Sequence, residues 1–463
     1  MQPLAITNLN PGAGVHFIGI GGVHMRGHAE QLQNSGFRVS GSDQNASPAT
    51  EGLAAKGIRV YIGHRAENIP QDTALVVYTA AVQADNPELV AAKARGIMVM
   101  ERTTLLGLIM KNYKHPICVA GTHGKTTATS MTAEIFLAAE ADPTIAVGGV
   151  LPAIGGAIRD GGRDVFVVES CEYCDGFLHF FPFIGIVLNI ELDHVDYFED
   201  LDAIYRSFRR FAALIPTGGA LIVNGHIERL ASLTEGLSCR VVTVDAAGAD
   251  WEAEDIRFDD RGCASFTAVH SGEVVGVIQM SVPGRHNVSN ALAAMAAADV
   301  LDVSFAAMAK GLAHFAGTGR RAEMKGTMTS GALLMDDYAH HPTEIRAALS
   351  AVKAAAYNRI FCVFQPHTRS RTQALLEGFA AAFDDADEVV LLDIYEPAGR
   401  EEHEYDVSAA DLAARLAERG VRVLYAKNRS DAASYIQKNT VHNDLCITMG
   451  AGDVSQMDKL LLL

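Results

Sequence analysis

Short apolar runs alternate along this chain with segments whose apolar positions recur every three or four residues, the pattern of strands followed by helices. It opens with Val15-His16-Phe17-Ile18, a turn carrying Gly19, Gly21 and Gly22, an expected helix over 23–34, and a second strand closing on Ser42 and Asp43. Strands are expected again at 58–61, 74–81 and 97–100, with a helix at 86–95. Strands separated by helices pair in parallel, so this part reads as a Rossmann-like unit.

A polar segment at 111–116 interrupts the pattern just before the strand Ile117-Cys118-Val119-Ala120. A glycine turn follows, and then a helix rich in alanine and methionine over 128–139. Strands at 164–169, 185–190 and 220–224 and a helix at 291–300 continue the alternation to a break at 315–319. Beyond it, strands at 333–335, 360–364, 389–392, 421–424 and 445–449 make a further α/β unit. With 463 residues and about 150 per domain, three domains are expected. The boundaries fall at 1–113, 114–317 and 318–463: a Rossmann-like N-terminal domain, a central P-loop domain on a parallel sheet, and a Rossmann-like C-terminal domain.

The turn after the 117–120 strand carries the chemistry. Gly121-Thr122-His123-Gly124-Lys125-Thr126-Thr127 lies between a strand and a helix, where backbone N–H groups and the helix dipole favour an anion. Lys125 is placed to reach terminal phosphate oxygens and Thr126 to ligate Mg²⁺. Val119 stands where the longer phosphate-loop pattern has its first glycine, so this is the shorter G-x-x-G-K-T-T form. The residues point to a nucleoside triphosphate. His123 serves either the nucleotide or the packing of the loop.

Composition narrows the partners. The net charge of −17 disfavours nucleic acid and anionic membrane, since neither is attracted at long range. Seven scattered cysteines are expected to be reduced thiols. Cys171 and Cys174 form a C-x-x-C, but no second pair or thioredoxin-like context supports metal or redox use. No apolar run approaches the roughly 18 residues of a spanning helix and 1–14 lacks a leader pattern, so a cytoplasmic protein is expected.

Polar residues gather where strands end, the usual place for ligands in such sheets. Glu169 and His194 are candidate ligands for a metal bound to triphosphate, with imidazole the less usual donor to Mg²⁺. His286 and Asn290 share a helical face if the helix has begun there, and can hold a purine edge; capping by Asn287 or Ser289 is the competing reading. Gly19 to Gly22 with Asp43 can take a dinucleotide, although Met25 breaks the G-x-G-x-x-G pattern, or the glycines serve close packing alone. The C-terminal strands are followed by Asp336-Asp337-Tyr338-Ala339-His340-His341, Gln365-Pro366-His367-Thr368-Arg369-Ser370-Arg371 and Gly450-Ala451-Gly452-Asp453.

Read together in chain order, HFIGIGGVHM, SGSD, YTAAV, GTHGKTT, LNIELDHVDYF, PGRHNVSNALAA, GTGRRAE, DDYAHHPTEI, FQPHTRSRT and GAGDV resemble the Mur ligase family of bacterial peptidoglycan synthesis. The resemblance implies an ATP-dependent, amide-forming ligase that acts on UDP-N-acetylmuramate and L-alanine, as a monomer or homodimer. It implies that Gly19, Gly21, Gly22, Ser42 and Asp43 hold the uridine nucleotide and that Gly121 to Thr127 cradle ATP. Thr126, Glu169 and His194 would hold magnesium, His286 and Asn290 would face adenine, and Arg321 and Asp337 would reach the nucleotide. His340 and Arg371 would lie near the amino acid, and Lys125, Glu169, His194, His340 and Arg371 form the implied catalytic set.

Two departures stand out. Glu169-Ser170-Cys171-Glu172-Tyr173-Cys174 replaces both aspartates of E-A-D-E-S-D with cysteine, and Thr368-Arg369 departs after Gln-Pro-His. The segment 205–210 has no lysine, so no carbamylated lysine is expected. Three alternatives remain on this reading: a recycling ligase that attaches a preformed peptide to the same sugar nucleotide, a nicotinamide-dependent dehydrogenase, and an ATP-gated binding protein without chemistry.

Overall fold

Residues 6, 9–79, 81–397 and 405–462 are described by a computed structural model. Ala80 of the expected 74–81 strand, and residues 1–5, 7 and 8 of the stretch read for a leader, lie outside them.

The first sheet holds β1 (Gly14–Ile18), β2 (Arg38–Asp43), β3 (Arg59–Ile62), β4 (Thr73–Tyr78) and β5 (Met98–Glu101) in the order β3-β2-β1-β4-β5, with every pairing parallel. The order reverses at β1, so the glycine turn after it opens at a topological switch point. A helix over Arg102–Met110, not foreseen from the sequence, buries Leu105, Leu106, Ile109 and Met110.

The central sheet has ten strands: β6 (His115–Ala120), β7 (Thr144–Leu151), β8 (Gly156–Arg159), β9 (Val165–Glu169), β10 (Ile184–Val187), β11 (Ala220–Asn224), β12 (Arg240–Val244), β13 (Trp251–Phe258), β14 (Cys263–His270) and β15 (Glu273–Pro283). Its parallel middle runs β12-β11-β10-β6-β9-β7, while β8 and the β13-β14-β15 meander add antiparallel pairs. β10 is buried at every position and β6 at every position after His115, as parallel strands covered on both faces should be. The expected 185–190 strand stops at Val187 because Asn189 leaves the ladder to bond the glycine loop.

The third sheet comprises β16 (Glu323–Thr327), β17 (Leu333–Asp337), β18 (Ile360–Phe364), β19 (Glu388–Leu391), β20 (Val423–Tyr425) and β21 (Leu445–Met449), ordered β16-β17-β21-β18-β19-β20. Only β16 pairs antiparallel. All seven cysteines are free thiols. No helix among the described residues is long and apolar enough to cross a membrane.

Candidate active site

The glycine loop leaves β6 and turns into a helix that starts at Lys125. Gly124 has φ 78°, and a Cβ there would lie 3.0 Å from Asn290 Oδ1, so glycine suits both the turn and the close neighbour. The loop is tied to the end of β10. Asn189 accepts from the His123 N–H at 2.7 Å and donates to the His123 carbonyl at 3.1 Å, while the Glu191 N–H donates to Thr122 Oγ1 at 2.9 Å. No side chain caps the helix that follows, which leaves its first N–H groups for an anion.

Lys125 Nζ donates to the Gly121 carbonyl at 2.6 Å and to Glu172 Oε2 at 2.9 Å. Burial works against the ammonium, but the Glu172 carboxylate outweighs it and holds Lys125 above the ordinary lysine value. Glu169, at the end of β9, accepts from the Gly148 N–H at 2.6 Å; a Cβ on Gly148 would fall 2.4 Å from Glu169 Oε2. A Cβ on the next residue, Gly149, would lie 3.5 Å from Thr126 Cγ2. Thr126 and Glu169 therefore flank the same pair of glycines, and their hydroxyl and carboxylate are hard oxygen donors that fit Mg²⁺. His194 has φ 51°, and its Nε2 sits 3.8 Å from Glu172 Oε1 and 4.0 Å from Asp193 Oδ2. Burial lowers its pKa in spite of these carboxylates.

A cavity of about 270 Å³ runs from the loop to the third domain, lined by His123, Gly124, His286, Asn290, Arg321 and Asp337. The helix over His286–Asp299 has already begun at His286, so His286 and Asn290 do share one face. The capping alternative does not hold. Asn287 donates to the Pro283 carbonyl, Ser289 bonds Asp245, and no side chain caps this helix. Burial lowers His286 to about 4, so the ring is neutral near pH 7. Asp337 accepts the N–H groups of Ala322 and Ala339, each at 2.7 Å, and burial raises its pKa. Arg321 lies over the Tyr338 ring at 5.0 Å and 3.6 Å from Glu344 Oε1.

The third domain closes against the loop through groups the sequence did not single out. Thr343 Oγ1 donates to Glu191 Oε2 at 2.6 Å, and the rings of His123 and His341 pack 4.2 Å apart, tilted by 35°. His340 donates its backbone N–H to Glu344 Oε2 at 3.0 Å, and burial lowers its ring to about 3. Arg371 is engaged by Asp193 and by His367, whose Nδ1 is 3.1 Å from Arg371 Nη1.

A second cavity of about 310 Å³ lies between the first and central domains, lined by His24, His28, Arg102, Glu169 and Cys171. In the first domain, Gly21 donates its N–H to Asp43 Oδ2 at 2.8 Å, which ties the glycine turn to the end of β2. Ser42 is fully buried and spends its hydroxyl on Glu88 Oε2 at 2.7 Å, inside a polar network with His64 and His16. The turn of Gly19, Gly21 and Gly22 stays at the carboxyl edge of the sheet; Ser42 supports it from below. The linings of the two cavities share no residue. Gly124, which precedes Lys125, lines one, and Cys171, which precedes Glu172, lines the other, while Lys125 and Glu172 pair at 2.9 Å.

Three family models match the chain in order: the Mur ligase family catalytic domain over residues 14–114, the Mur ligase middle domain over 119–298, and the Mur ligase glutamate ligase domain over 320–452. A UDP-N-acetylmuramate–L-alanine ligase from Agathobacter rectalis is 48% identical over 449 residues, 97% of this chain and 97% of its own. One of the same name from Acetivibrio thermocellus is 46% identical across 100% of this chain and 98% of its own. Among solved structures, a UDP-N-acetylmuramate-alanine ligase from Thermotoga maritima superimposes with a TM-score of 0.81 at 27% identity, covering 96% of this chain and 97% of that one. A murein peptide ligase from Psychrobacter arcticus gives 0.72 at 27% identity, covering 97% and 98%.

Proposed function

The chain belongs to the Mur ligase family, and from that premise we propose that it joins L-alanine to the lactyl carboxylate of UDP-N-acetylmuramate at the expense of ATP, a step of peptidoglycan synthesis. One observation carries the reading. Lys125 heads an uncapped helix, Gly124 before it lines the cavity shared with the third domain, and its partner Glu172 follows Cys171, which lines the cavity shared with the first. A triphosphate in one cavity and a carboxylate entering from the other would meet at this ammonium.

The chemistry calls for such a meeting. A carboxylate and an amine near neutral pH form a salt, not an amide, so the acid must first be activated. The lactyl carboxylate attacks the γ-phosphate, ADP departs, and the acyl phosphate is captured by the amine of L-alanine with loss of phosphate. Lys125 and the helix N–H groups offset charge on the transferring phosphoryl group. Thr126, Glu169 and His194 would hold Mg²⁺, which would supply positive charge against the negative charge that develops during phosphoryl transfer. His286 and Asn290, with Arg321 and Asp337 opposite, would frame the nucleotide. The first-domain turn of Gly19, Gly21 and Gly22, braced by Ser42 and Asp43, would take the uridine diphosphate. His340 and Arg371 would border the amino acid as the third domain excludes water from the acyl phosphate. Free thiols and a water-soluble nucleotide sugar support work in the cytoplasm, where the chain would act as a monomer or homodimer.

The test is phosphate release with ATP, Mg²⁺ and UDP-N-acetylmuramate while the acceptor is varied. L-Alanine is expected to drive release. Release with a preformed murein tripeptide but not with L-alanine would overturn the acceptor assignment, and release with no acceptor at all would overturn the ligase reading.

A further inference from the structure

Two potential metal-ligating side chains beside Lys125, Cys171 and Glu172, have not been used in the reaction above as ligands. Cys171 Sγ, a Glu172 carboxylate oxygen and a His194 ring nitrogen all lie within 4.8 Å of one another, drawn from two segments far apart in the chain. The His194 Nε2 to Glu172 Oε1 separation is 3.8 Å. Around a tetrahedral zinc ion, with bonds of about 2.0–2.3 Å, neighbouring donor atoms stand roughly 3.3–3.8 Å apart, so only a small adjustment would bring all three onto one ion. Glu172 is 2% exposed and hence well fixed, whereas Cys171 is exposed and lines the 310 Å³ cavity, which gives an ion a way in.

The donor set selects the metal. Mg²⁺ and Ca²⁺ take oxygen ligands, whereas thiolate and imidazole together favour Zn²⁺ and other thiophilic divalent ions. A fourth position can be filled by water or by a substrate oxygen. We propose that Cys171, Glu172 and His194 form a binding site for a thiophilic divalent cation, Zn²⁺ in the first instance, that antagonises use of the ATP site. Binding transfers the thiol proton to solvent, the sulfur lone pair forms the Zn–S bond, and no electron changes hands. The ion draws Glu172 away from Lys125, neutralises the carboxylate charge that ammonium pairs with, and removes His194 from any Mg²⁺ held with Thr126 and Glu169.

The site rests on geometry and its antagonism on the ligase reading, so metal binding tests the site apart from that reading. Co²⁺ is titrated into the intact protein and the thiolate-to-cobalt charge-transfer absorption is recorded, followed by displacement with Zn²⁺. One strongly bound equivalent carrying that band is expected, retained in Cys174→Ser and lost in Cys171→Ser. Loss of an outer-shell partner alone costs 10–100-fold in metal affinity, so loss of the direct sulfur ligand should cost at least about 100-fold. In parallel, micromolar Zn²⁺ should inhibit phosphate release, and the Cys171→Ser protein, measured against its own rate in Mg²⁺ alone, should be less sensitive. Absence of the band, its persistence in Cys171→Ser, or equal zinc sensitivity of the two proteins overturns the proposal. A chain that binds cobalt as described but releases no phosphate would leave this site standing and remove the ligase assignment instead.

Discussion

Asp193 of the central domain and Arg371 of the third form a buried ion pair: Arg371 Nε and Nη2 each lie 2.8 Å from Asp193 Oδ1, and the two residues are 4% and 3% exposed. Burial opposes the charge on Asp193, but the guanidinium outweighs it and holds the carboxyl well below the usual carboxylate range. Such a pair fixes how the third domain sits over the glycine loop. Removing one partner leaves the other charged and dry, at a cost of about 3–5 kcal/mol, whereas removing both costs much less. Arg371→Ala should therefore lower the thermal midpoint and slow phosphate release. Asp193→Asn combined with Arg371→Gln should recover much of the stability without restoring the rate. If the double variant is no more stable than Arg371→Ala, the pair is not what joins the domains.

Lys125 is held by two loop carbonyls and by Glu172, pointed at the mouth of the helix. A fixed cation aimed at charge that develops in a transition state is worth about 10²–10³ in rate. Lys125→Ala is expected to lose at least that much phosphate release while circular dichroism stays native. Lys125→Arg should recover little, because the larger guanidinium does not fit the space against Gly121 and Thr122. Near-normal turnover in Lys125→Ala would contradict the phosphate-loop assignment.

Gly124 carries the loop through the left-handed region, with Asn290 as its lid. In Gly124→Ala the backbone strain is about 1–2 kcal/mol, and the new methyl would also press on Asn290 Oδ1. Since 1.4 kcal/mol is a factor of ten in affinity, calorimetry should show ATP binding weakened by roughly tenfold. In an Asn290→Ala background, which already lacks the contact, Gly124→Ala should cost less ATP affinity than it does in the native protein. Unchanged ATP affinity in Gly124→Ala would show that the loop does not hold phosphate.

The first sheet and the glycine loop could be read from the sequence because both rest on local pattern: apolar strands, turn glycines and the helices that follow. What escaped depends on how domains pack. Glu172 was visible as an acid three residues after Glu169, but nothing local says that it is the one that grips Lys125. Glu191, His341 and Glu344 became site residues only when the third domain laid its helix Pro342–Lys353 against the loop. Ser42 was read as a ligand contact from its motif, yet its partner Glu88 lies 46 residues on and draws the hydroxyl into the core. The helix Arg102–Met110 did leave a signal, since Leu105, Leu106, Ile109 and Met110 recur at helical spacing and Glu101 accepts from the Thr103 N–H. That segment is too short and too apolar for periodicity alone to separate helix from strand.

His123 offers a test of domain closure by pH. Its Nε2 lies 3.4 Å from Glu191 Oε2, its Nδ1 lies 3.8 Å from Glu344 Oε1, and the His341 ring packs against it at a tilt. Burial alone would lower its pKa, but the two carboxylates reverse that and raise it to about 9, while burial and the charged His123 lower His341 to about 4. A histidine whose pKa is raised on folding adds stability that is fully present below its unfolded value of about 6.5 and is lost as pH climbs through the folded value. The contact between loop and third domain should thus weaken between pH 6.5 and about 9. Glu191, held down to about 2, and Glu344, also held low, stay ionised across that window, so they do not contribute to the slope. Thermal midpoints of the native protein should fall over this range more steeply than those of His123→Gln, and the difference should shrink in high salt only slightly, because the cluster is buried. Parallel midpoint curves for the two proteins would mean that His123 is neutral in the folded state and that the third domain is held without its charge.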